Sequence, residues 1–326
     1  MTSPEDVMPR QIPRRSLLAG GTAVLAGALA GCSGGSGSTD GSGSATRSVQ
    51  TATGAVEVPS APKRVVVLDT AELDSVLTLG FTPVGASRAA ADATLPDYWG
   101  AARLQGIAST GTIGAPDLDA IGRLDPDLIL SNQTRDGSRY ESLAAIAPTV
   151  LTATTGYPWR QNFTVHADAL NQSASVALVS TGYTQHVSQV IEALGGTDAA
   201  KKQQISLVRF VQDEDPRLYA TQNFLGTVLA DLDLGRPSSQ SGQVFDTTLG
   251  DPAQLAGLDG TALFYATYGD TGKAGTAAVV GSAAWRALGA VAAHRAFAVD
   301  DGLWFQGIGY TGANLVLAQL QRFLRS

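Results

Sequence analysis

The stretch SASVALVSTGYTQHVSQVIEAL, residues 173–194, decides the fold. Val176, Val179, Tyr183, Val187, Val190, Ile191 and Leu194 recur at three-and-four spacing, which predicts a helix with one buried face. Gly182 weakens it by about 1 kcal/mol relative to Ala, and Gly195-Gly196 stop it. Such a helix extends roughly 33 Å at 1.5 Å per residue, enough to cross from one domain to another. A long surface helix within one domain is the other reading of the pattern.

Both flanks alternate strands with helices. Upstream, Arg64–Asp69 reads as a buried strand, Ala71–Leu79 as a helix and Thr82–Ala86 as a second strand. Pro116–Ile121 opens another helix, Asp127–Leu130 and Pro148–Leu151 are strands, and Tyr140–Ile146 is helical. Downstream, Ile205–Val211, Leu218–Ala220, Leu263–Ala266 and Ala296–Val299 read as strands. Phe224–Leu232, Ala274–Leu288 and Thr311–Leu324 read as helices. The fold class is therefore α/β with parallel pairing, in two lobes of similar size. Expected boundaries are an N-terminal lobe at 51–170, an inter-lobe helix at 171–196 and a C-terminal lobe at 197–326. A cleft at the junction is where small molecules bind.

The N-terminus is an address. Arg14-Arg15 precede a weakly apolar run, Ser16–Ala30, too short for the roughly 20 residues that span a bilayer. The pair resembles a Tat export signal, and Leu29-Ala30-Gly31-Cys32 resembles a bacterial lipobox. Cys32 is the only cysteine, so no intrachain disulfide is available. The lipobox resemblance implies a signal peptide over 1–31 and lipidation of Cys32; Ser33–Ser44, rich in Gly and Ser, begins a flexible tether over 32–50. Gly31–Gly35 also matches the G-x-S-x-G nucleophile elbow, but a tether rather than a helix follows it.

From about Ala61 to the end, the chain resembles the periplasmic binding proteins that serve iron–siderophore, haem and vitamin B12 importers. The resemblance rests on Ala61–Leu68, the Leu79-Gly80 … Pro83-Val84-Gly85 turn, Leu118–Ile121 with Leu124–Ile129, Tyr140–Val150 and Trp159–Phe163. It implies two Rossmann-like lobes joined by one long rigid helix, and a monomeric carrier rather than an enzyme. It further implies capture of a ferric siderophore and delivery to an ABC importer permease and its ATPase, from a lipid-anchored position on the extracytoplasmic face of the cell membrane. A haem or cobalamin carrier of the same class is the alternative, with Tyr219 or Tyr310 available as a haem ligand.

A ferric siderophore presents metal-bound oxygens and apolar or aromatic arms. Guanidinium groups suit the oxygens, and broad rings suit the arms. Candidates sit where strands give way to loops: Arg135, Arg139, Tyr157, Trp159 and Arg160 in the first lobe, and Phe224 and Trp304 in the second. Arg209 and Tyr219 lie within second-lobe strands. Arg209 stands in the apolar run Ser206–Val211, where a buried charge needs an acid or the ligand. For the permease, the resemblance points to an acid on each lobe, matching Asp119 and, poorly, Asp251.

The net charge of −7 disfavours nucleic acid. Gly307–Gly312 matches G-x-G-x-x-G, but no acid follows it to hold a ribose. His166, His186 and His294 are not at metal-ligand spacing, and no cofactor is expected.

Overall fold

A computed structural model describes residues 45–250 and 252–325. Arg14, Arg15, Cys32 and Asp251 lie outside them.

The described chain starts with an antiparallel hairpin, β1 (Thr46–Thr51) and β2 (Gly54–Pro59). The tether was expected to reach residue 50, but structure begins earlier. Val49 and Val58 are fully buried against the first lobe's core, and Arg47 pairs with Asp168 at 3.0 Å. Two buried valines and one ion pair are too weak a pattern to identify a strand beside a Gly/Ser run.

The first lobe holds a six-stranded sheet. Its strands are β3 (Val65–Val67), β4 (Gly85–Arg88), β5 (Ala108–Thr112), β6 (Ala115–Pro116), β7 (Leu128–Asn132) and β8 (Thr149–Thr152). The spatial order is β6-β5-β4-β3-β7-β8, parallel except at the β5–β6 edge. Helices therefore cover both faces, and β7 and β8 are buried along their whole lengths.

The second sheet has the order β11-β10-β9-β12-β13, built from β9 (Ile205–Val211), β10 (Arg217–Tyr219), β11 (Asp246–Thr248), β12 (Ala262–Tyr268) and β13 (Ala296–Ala298). β9, β12 and β13 run parallel, and β10 and β11 add an antiparallel edge. The expected 274–288 helix is broken into Thr276–Val280 and Ala283–Arg286. Gly281 ends the first piece and Ser282 caps the second, its hydroxyl accepting from Trp285 N at 3.1 Å.

Between the sheets the chain forms three helices, Trp159–Ala169, Val176–Ala193 and Thr197–Lys202, of which Val176–Ala193 is the longest. Tyr183, Val187 and Val190 are its buried stripe, packed with second-lobe residues such as Val228 and Leu317. The closing helix, Tyr310–Arg325, touches both lobes. Val316, Leu317 and Leu320 join the second core, while its first turn docks on the first lobe. There the buried Asp74 carboxylate accepts from Thr311 N (3.2 Å) and Gly312 N (3.0 Å), and Thr78 and Thr311 share a hydroxyl hydrogen bond of 2.9 Å. This is the role of Gly307–Gly312: a β-carbon on Gly312 would collide with the Gly307 carbonyl, and one on Gly309 with Asp74. The glycines admit a carboxylate from the other lobe to the positive helix end.

Candidate functional site

The two lobes face each other across a cleft beyond the carboxyl ends of their parallel strands, where α/β sheets bind ligands. Asp69 and Thr70 follow β3, Ala89 follows β4 and Arg135 follows β7; Val211 ends β9 and Tyr268 ends β12. The inner compartment has a volume of about 280 Å³, and a wider one of about 710 Å³ adjoins it. Tyr268 and Ala89 line both, and the Tyr268 hydroxyl donates to the Ala89 carbonyl at 2.9 Å, so this inter-lobe bond stands at the partition.

Five expected residues line the inner compartment: Arg135, Arg209, Tyr219, Phe224 and Trp304. Arg135 is held by the helix Gln133–Asp136, whose cap Asn132 accepts from Arg135 N at 3.1 Å. Its Nε donates to Asp69 at 3.0 Å, and its side chain is 42% exposed. Arg209 leaves β9 toward the cleft and pairs with Asp301 through two bonds, Nε to Oδ1 at 2.6 Å and Nη2 to Oδ2 at 2.7 Å. Its Nη1 donates to the Tyr219 hydroxyl at 3.2 Å, and the guanidinium lies over the Tyr268 ring at 4.8 Å. Burial opposes the Arg209 charge, but the hydrogen bonds and negative charge of Asp301 more than offset it and hold the pKa above the usual range. Trp304 is fully buried, stacked on Phe264 at 4.7 Å, with Nε1 donating to Gln319 at 2.7 Å. It backs the wall; its neighbour Phe305, edge-on to Tyr219 at 4.7 Å, also lines the compartment.

Four expected residues do not line the cleft. Pro158 precedes a helix, Trp159–Ala169, where the sequence reading placed a loop. Trp159 is turned into the core, edge-on to Tyr310 at 4.8 Å, with Nε1 donating to Thr227 at 2.8 Å. Arg160 stacks on Trp159 at 4.4 Å and pairs with Asp231, which also accepts from the Tyr183 hydroxyl at 2.6 Å. Arg139 pairs with Asp136 at 3.3 Å, and Tyr157 is exposed. Tyr310 is buried in the same aromatic cluster as Trp159, away from the cleft. Asp119 is exposed in the first turn of the helix Leu118–Arg123.

Arg217 was missed. It stands directly opposite Arg209 in the β9–β10 register, on the same sheet face, and lines the inner compartment. The signal was the hairpin loop Asp213-Glu214-Asp215-Pro216, from which the register could have been counted. Glu214, whose carboxylate accepts from Arg217 Nε at 3.1 Å, and Phe245 were missed with it.

Behind Asp69 lies a buried polar chain. Asn132 Nδ2 donates to Asp69 and to Glu72, each at 3.3 Å, and Glu72 Oε1 is 3.8 Å from His166 Nε2. Burial, with the Asp69 charge next, pushes Glu72 up to about 8, and burial pushes His166 down to about 3. Both shifts favour the uncharged forms, which weakens any ion pairing between them.

A family model described as periplasmic binding protein matches residues 65–302. The chain is 32% identical over 276 residues to the probable siderophore-binding lipoprotein YfiY of Bacillus subtilis (strain 168), covering 82% of this chain and 83% of that one. It is 28% identical over 200 residues to the Fe(3+) dicitrate-binding periplasmic protein FecB of Escherichia coli (strain K12), covering 60% and 63%. Among solved structures, Staphylococcus aureus SirA complexed with staphyloferrin B superposes with a TM-score of 0.77 at 25% identity, covering 86% of this chain and 98% of that one. The chain belongs to the periplasmic binding protein family, whose members bind substrates rather than transform them.

Proposed function

We propose that this protein captures a ferric siderophore in the inter-lobe cleft and delivers it to an ABC import permease, anchored to the outer face of the cell membrane through a lipid on Cys32. One observation carries the reading: arginines from both lobes, Arg135, Arg209 and Arg217, converge with Tyr219, Phe224 and Phe305 on one cavity. Guanidinium donors match chelating oxygens, and the rings match the organic arms. Relatives named for siderophores and ferric citrate support the ligand class, and a lipoprotein relative supports the anchor. Exposed Asp119 is the proposed first-lobe contact for the permease, with Asp251 as its second-lobe counterpart.

Fluorescence titration of the purified chain with ferric siderophores, haemin and cobalamin tests the reading. At least one ferric siderophore should quench the emission saturably. Binding of haemin alone, or of cobalamin alone, would replace this proposal with that carrier.

A further inference from the structure

The arginines of the cleft are already neutralised. All three nitrogens of the Arg209 guanidinium are engaged, two by Asp301 and one by Tyr219. Arg217 gives Nε and Nη2 to Glu214, and its Nη1 lies 3.8 Å from Asp246. Arg135 is tied to Asp69 through Nε, which leaves its two terminal nitrogens to face a ligand. Three positive charges thus meet four carboxylates within ion-pair distance. The wider compartment adds Asp92, Asp97 and Asp300, and no lysine or arginine is among its described lining residues.

A strongly anionic chelate entering this cleft would have to break these pairs or sit beside acids in a partly desolvated space, both costly. An uncharged or nearly uncharged chelate needs only the free edge of Arg135 and the aromatic wall. Resting on the siderophore reading above, we infer that the ligand is a ferric chelate with no more than one net negative charge, hydroxamate in kind rather than tricatecholate. Glu214 and Asp301 set this preference by occupying the arginines that an anionic ligand would otherwise claim.

Isothermal titration of the full chain with an uncharged ferric trihydroxamate and a triply anionic ferric tricatecholate tests this. The trihydroxamate should bind at least about tenfold tighter, with less than about a twofold change between low and high salt, since little net charge is exchanged. Glu214→Gln, which releases Arg217 from Glu214, should tighten tricatecholate binding about tenfold and shift the ratio of the two affinities toward the tricatecholate; an unchanged ratio overturns the role given to Glu214. Tighter tricatecholate binding by the unmodified chain, or equal binding of the two, overturns the inference and leaves the siderophore reading standing. Failure of every ferric siderophore to bind overturns both.

Discussion

Arg135 carries the sharpest single-residue prediction. It is the first-lobe guanidinium in the inner compartment, and its terminal nitrogens are not claimed by Asp69. Arg135→Ala should weaken ferric-siderophore binding by about tenfold or more, the size of one charge-assisted hydrogen bond. The melting temperature should change little, because the side chain is 42% exposed; unchanged affinity in a titration would remove Arg135 from the site. Behind it, Glu72 and His166 make stability depend on pH in opposite directions. Glu72 is raised in the fold, so its contribution is complete below the ordinary carboxyl range and is lost as pH rises toward about 8. His166 is lowered, so its contribution is complete above the ordinary imidazole range and is lost as pH falls toward about 3. Melting temperature should therefore peak in mildly acidic solution, and Glu72→Gln should flatten the alkaline limb. An unchanged alkaline limb in that variant would remove Glu72 as its source; Asp74, which burial raises to about 6, acts only on the acidic side of that limb.

At the scale of elements, the helix Val176–Ala193 packs on the second lobe through Tyr183, Val187 and Val190 and leaves its other face exposed. Gly182 is exposed on it, and a β-carbon there would meet nothing within 4 Å. Gly182→Ala should stabilise the protein by about 1 kcal/mol through helix propensity and the unfolded state, raising the melting temperature by about 2–4 °C without altering affinity. A drop on thermal denaturation would show that the helix bends at that point. The closing helix behaves differently, because its first turn is fixed by Asp74 from the opposite lobe. Its glycines match a nucleotide-binding pattern, yet their neighbours show an inter-lobe joint.

Across the whole molecule, the lobes are connected at the back by Asp74 and the Thr78–Thr311 hydroxyl pair, and at the cleft by Tyr268 and Ala89. Tyr268→Phe removes the cleft bond while keeping the ring under Arg209. It should leave folding intact and raise the ligand dissociation rate several-fold in stopped-flow measurements, because one bond between the lobes is absent in the bound state. An unchanged rate would show that this contact does not hold the lobes together around the ligand.

The apolar runs at Val65–Val67, Leu128–Leu130 and Ile205–Val211, with the three-and-four stripe of residues 173–194, determined two parallel α/β lobes and the helix between them. These features are legible because burial imposes periodicity on neighbouring residues. The candidate site was legible at loops that follow strands, at Arg135, Phe224 and Trp304, and at polar or aromatic residues within apolar strands, at Arg209 and Tyr219. Trp159 and Arg160 turned inward because a proline-started helix rotated them toward the core, and Arg217 entered because strand register set it opposite Arg209. Which arginines meet acids also emerged only in three dimensions: Arg209 and Asp301 are 92 positions apart, and local sequence carries no record of such a pairing. Charge balance in the cleft is a property of the assembled lobes, since Coulomb energy depends on distance through space rather than along the chain.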